Sequence, residues 1–194
     1  MRWLVLYARS RQVPAALAVA VAVAGGLAIW ALAGDGGAAV PGDPRPAALV
    51  LTVAAAVAST GLGGQDHALD RTAAIRWWTR RTAHVLLAGT AACGMVLGLR
   101  VLGADLATTA FVVRDAAGLM GLAALGAAVC GAAHAWTLPV GRLALSSFSP
   151  PLTGVPQEAV TWMLQPPGTV AATCTALTLT ATGTIAYAVT GPRG

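Results

Sequence analysis

The chain has 194 residues, 57% of them hydrophobic and only 10% charged, with mean hydropathy +0.72 and net charge +5. That is the composition of a chain dissolved in lipid, read here as one domain over 1–194 with no room for a soluble module. It contains no lysine, which excludes a G-x-x-x-x-G-K-[ST] phosphate loop and any Schiff-base lysine.

Residues 1–12 mix Trp3, Leu4 and Tyr7 with Arg2, Arg9 and Arg11. Spacings of three and four put the aromatic and apolar side chains on one face, as an interfacial helix requires. The stretch 13–33 is free of charge and long enough to span the bilayer, and Pro14 fits its first turn. A Gly/Pro-rich loop (34–46) precedes a second span at 46–63. The segment 64–82 carries Arg71, Arg76, Arg80 and Arg81 with Asp66, Asp70 and the pair Trp77–Trp78. Leu69, Ala73 and Trp77 recur at i, i+4, i+8, so a short amphipathic cytoplasmic helix is expected there. The third span, 83–103, contains the G-x-x-x-G pattern Gly94–Gly98, and the fourth, 112–133, begins with Arg114–Asp115.

Beyond it, six prolines between 139 and 167 forbid one straight helix. The reading is a short fifth span at 136–150, a loop or re-entrant piece at 151–166, and a last span at 168–190. The expected fold is therefore all-α and polytopic, with about six membrane helices, each built from roughly 20 apolar residues. Arginines crowd the N-terminus and 64–82, whereas 34–46 and 100–115 balance Arg with Asp. The excess of positive charge places the N-terminus and 64–82 in the cytoplasm, with Arg193 inside and Arg142 near the inner face.

Little in the chain carries chemistry. His67, His84 and His134 are scattered, Cys93, Cys130 and Cys174 lie apart in apolar runs, and Glu158 is the only glutamate. No metal-ligand spacing, paired carboxylate or nucleophile–base set occurs. No catalytic residue, metal or cofactor is expected, and the chain is read as a non-enzyme. Arg114 and Asp115 stand either as solvated boundary charges or as a polar anchor in a substrate path. The basic segment is either a topology signal with aromatic anchors or a docking surface, since Trp and Arg are favoured interface anchors.

The N-terminal MRWLVLYARSRQ, the segment DHALDRTAAIRWWTRR, the proline-interrupted fifth span and the ending TWMLQPPGTVAATCTALTLTATGTIAYAVTGPRG together resemble permease subunits of ABC transporters, the small exporter-type permeases of actinobacteria. The resemblance covers most of the chain and rests on layout. It implies six spans and a coupling helix after span two, through which Asp70, Arg71, Arg76, Trp77, Trp78, Arg80 and Arg81 contact a separate ATP-binding subunit. It further implies a second permease chain, identical or related, and location in the cell membrane. The chain is shorter than typical permeases of this type, and its region between spans four and six is compressed. The alternative expectation is a non-transporting accessory or scaffold protein of the membrane, in which 66–81 serves topology alone.

Overall fold

The computed structural model describes residues 26, 43–63, 77–101, 106–149 and 154–193, and among them every regular element is helical. The elements are α1 (Arg45–Ser59, extended by a 3-10 turn Thr60–Leu62), α2 (Trp77–Val101), α3 (Thr109–Val129), α4 (Thr137–Phe148), α5 (Val155–Val160) and α6 (Val170–Thr190). Shorter 3-10 turns occupy Ala132–His134 and Trp162–Leu164. Four stretches are long and apolar enough to cross a bilayer: Arg45–Leu62, Trp77–Leu99, Thr109–Val129 and Val170–Thr190. The expected interfacial helix at 1–12, the span at 13–33 apart from Gly26, and the stretch 64–76, with Asp70, Arg71 and Arg76, lie outside the described residues.

Local chemistry sets the helix ends. Asp43 Oδ1 accepts from the Arg45 amide at 3.0 Å, taking up a free donor at the start of α1, where Pro46 also fits. Thr108 caps α3 by accepting from the Phe111 amide. Helix α6 follows Pro166-Pro167-Gly168 and stops at Gly191, whose φ of +71° suits a residue without a Cβ. Within α6, the hydroxyls of Thr173, Thr175, Thr178, Thr180, Thr182 and Thr190 each donate to the carbonyl four residues back. A threonine-rich helix thereby satisfies most of its polar side chains internally, as lipid requires, the buried Thr184 hydroxyl being the exception.

The helices run in alternating directions. Gly89 of α2 faces Met120 of α3, and Cys93 Sγ lies 3.8 Å from the Val112 carbonyl, so α2 and α3 are antiparallel. The end of α1 meets the start of α2 where Gly61 faces His84, and it meets the end of α6 where Tyr187 donates to the Leu62 carbonyl at 2.7 Å. One end of the bundle, the Arg81 end, thus gathers Leu62, Arg81, Cys130 and Thr190. The opposite Arg114 end gathers Arg45, Thr109 and Thr169.

Helices α3 and α6 are parallel. Arg114 reaches the turn before α6, Gly121 packs on Leu179–Thr180 and Gly183, and Ala127 bonds Arg193. A Cβ on Gly183 would overlap the Gly121 carbonyl, and one on Gly121 would overlap the Leu179–Thr180 backbone. Small residues here let two backbones touch, the main source of helix affinity in lipid. Because α3 and α6 point the same way, residues 131–169 must carry the chain back across the bundle once. Ala135, in the turn before α4, sits against Gly126, near the end of α3. From there α4 crosses toward the Arg114 end. Its 12 residues extend only about 18 Å at 1.5 Å each, short of the roughly 30 Å hydrocarbon core. The remainder is made up by α5 and the Trp162 turn, which fold back against α4 and α3. The Trp162 indole fills the space over Gly118.

Helix α3 is the centre of the bundle, buried along most of its length, while α2 and α6 expose most of their surface. Leu86, Leu87, Leu177, Ile185 and Val189 lie on that exposed apolar surface, the side that meets acyl chains. Helix α2 is already helical at Trp77, ahead of the expected span start at 83, so Trp77, Trp78, Arg80 and Arg81 belong to a long continuous helix. The Gly94–Gly98 pattern faces outward, with nothing within 4 Å of a Cβ at either glycine.

Candidate functional site

Two charged clusters stand at opposite ends of the bundle. At the Arg114 end, Arg114 and Asp115 are adjacent on α3 and buried, with Asp115 fully enclosed. Arg114 Nε donates to Asp115 Oδ1 at 2.7 Å, Nη2 donates to the Gln165 carbonyl at 2.8 Å, and Nη1 donates to the Pro166 carbonyl at 3.1 Å. The guanidinium also lies 5.2 Å from the centre of the Phe111 ring. The proline-rich turn leaves carbonyls outside any helix because Pro166 and Pro167 cannot donate; Arg114 takes those of Gln165 and Pro166, the latter shared with the Thr169 amide. Asp115 Oδ2 and Trp162 Nε1 are buried and have no partner among the described residues. Read from sequence as boundary charges or an anchor in a substrate path, the pair sits inside the bundle and clamps the turn that launches α6.

At the Arg81 end, the basic residues divide their roles. Trp78 is 55% exposed and Arg80 is exposed, its guanidinium 5.7 Å from the Trp77 ring centre. Trp77 is half-buried. Arg81 turns inward: Nη1 lies 3.4 Å from the Ala188 carbonyl, and the guanidinium packs on Gly191. A cation at the C-terminus of α6 offsets the negative end of the helix dipole and fills its last carbonyls. Arg193 does the same for α3, its backbone amide donating to Ala127 and Nη1 to Val129 at 3.0 Å. Of the seven residues expected to contact an ATPase, Trp78 and Arg80 are outward-facing, Trp77 is partly covered, Arg81 is engaged internally, and Asp70, Arg71 and Arg76 fall outside the described residues.

Two further residues matter: Trp162, which the sequence reading did not single out, and Arg142, which it used only for orientation. Trp162 is fully buried against Gly118; the signal was a tryptophan inside a proline-rich stretch with a glycine in the central span. Arg142, expected near the inner face, lies midway along α4 and donates from Nη2 to the Ala159 carbonyl at 2.6 Å. Among the described residues, no group of His, Cys, Asp and Glu is arranged to hold a metal ion. No protein-family model, curated protein or solved structure matches this chain.

Proposed function

We propose that the chain is the membrane-spanning permease subunit of an ABC-type exporter, driven by a separate ATP-binding subunit. In this reading 13–33 is the first of six spans, α4 with its return is the fifth, and the N-terminus lies in the cytoplasm of the cell membrane. The observation that carries it is the start of α2. Trp78 and Arg80 face outward at the end of the bundle where Arg81 is joined to the last helix.

The segment Asp70, Arg71, Arg76, Trp77, Trp78, Arg80 and Arg81 seats on the ATPase, with Trp78 as the apolar anchor and the arginines meeting acidic groups. When ATP draws two ATPases together, a push on this segment enters α2 directly and reaches α6 through Arg81. Two permease chains, identical or related, enclose the path between them. The buried Arg114–Asp115 pair meets a substrate only when the Gln165–Pro166 turn releases it.

The test is affinity purification of tagged protein from its native membrane in gentle detergent, with crosslinking and mass spectrometry. A stoichiometric ATPase is expected, and Trp78→Ala is expected to reduce its recovery about tenfold, the loss of one hot-spot anchor. Full recovery with Trp78→Ala removes the docking role. Absence of any ATPase after crosslinking turns the reading to an accessory membrane protein.

A further inference from the structure

Arg142 occupies an unusual position for a cation. Helix α4 is the element that crosses the bundle between α3 and α6, and Arg142 is the sixth of its 12 residues. Three other arginines have evident partners: Arg114 has Asp115 and two carbonyls, and Arg81 and Arg193 meet helix ends. Arg142 has one neutral acceptor, the Ala159 carbonyl, while its Nε is buried with no partner. Among the described residues the only ion pair is Arg114–Asp115, so no described carboxylate comes within 4.0 Å of Arg142.

A carbonyl shares a proton but does not cancel a charge, and an uncancelled charge at membrane depth is expensive. The side chain as a whole is half-buried, and an anionic oxygen brought to the reachable part of the guanidinium would neutralise it through a charge-assisted hydrogen bond. Beside it, Leu145 and Phe148 follow Arg142 at steps of three along α4, forming one ridge, and they are 51% and 87% exposed. A charged group at the foot of an exposed apolar ridge has the polarity of a molecule with an anionic head and a hydrocarbon tail.

We propose that Arg142 anchors a binding site for the phosphate or carboxylate head of an amphipathic anion, whose alkyl chain lies along Leu145 and Phe148. The site stands independently of the permease reading; within that reading it names the substrate class. A phospholipid headgroup and a free single-chain amphiphile present the same chemistry to the arginine.

The experiment uses the full chain in phosphatidylcholine nanodiscs and dodecyl phosphate brominated on its chain, read by quenching of tryptophan fluorescence. Saturable quenching is expected, with Arg142→Gln weakening the apparent affinity about tenfold or more and Arg142→Lys weakening it less, since lysine keeps the charge but loses the fork. Unlabelled dodecyl phosphate and laurate should displace the probe; dodecyl glucoside and inorganic phosphate should not. Displacement by phosphatidylglycerol built into the nanodisc identifies the bilayer as the source of the head, and its failure identifies a free amphiphile. Equal affinity in folded Arg142→Gln, or equal displacement by the uncharged glucoside in the unaltered protein, overturns the site. The glucoside comparison decides the matter even if Arg142→Gln does not fold.

Discussion

Asp115 shows how a single buried atom can hold a whole turn in place. Its Oδ1 neutralises Arg114, and the neutralised guanidinium is then free to spend its remaining donors on Gln165 and Pro166. Removing one member of such a pair strands the other, whereas removing both leaves no charge to compensate. Asp115→Asn alone is expected to destabilise the fold by about 3–5 kcal/mol. The double variant Arg114→Met, Asp115→Asn should recover much of that loss despite the abandoned carbonyls. A double-mutant cycle from unfolding in mixed detergent measures both, and an Asp115→Asn change below about 0.5 kcal/mol would show that the pair carries no stability. None of this was legible from the two adjacent letters. Their partners lie some fifty positions later, and a charged residue near a span end reads equally well as a boundary marker.

At the scale of elements, glycine location decides which helices meet. Gly121 and Gly183 allow the α3 and α6 backbones to touch, whereas Gly94 and Gly98 face open space. Gly183→Leu should cost about 1–3 kcal/mol by forcing the helices apart, whereas Gly94→Leu should stay within about 0.5 kcal/mol. Equal effects at both sites, measured by the same detergent unfolding, would refute the α3–α6 contact. The spans themselves were readable because apolar length is a property of a local window, and the helices at 45–62, 109–129 and 170–190 fall close to their expected limits. Which glycine pairs with which was not readable. With 23 glycines in the chain, small-residue spacings occur by default, and only the three-dimensional neighbour distinguishes a contact from an empty face. The continuity of α2 through Trp77–Arg81 was harder to read for a related reason. Arginines next to tryptophans look interfacial, yet nothing between Trp77 and Arg81 breaks a helix, and the helix runs straight through them.

For the whole molecule, the parallel α3–α6 pair imposes a crossing at α4 that length alone would not assign. In a chain whose native cysteines are replaced, a cysteine at Asp43 and one at Val155 should react with an impermeant reagent from the same side, and one at His134 from the other. Reaction of 134 and 155 from one side would mean that α4 does not traverse. The arrangement at Arg114 also has a temporal side. During synthesis, Arg114 is made 51 residues before Gln165, so the guanidinium leaves the ribosome ahead of the carbonyls that later hold it. Its neighbour in sequence travels with it, and the pair enters as a unit with no net charge. Adjacency of Arg114 and Asp115 is thus a provision for biogenesis: a counter-ion supplied at the same moment as the charge, keeping α3 insertable until the last helix arrives to lock it.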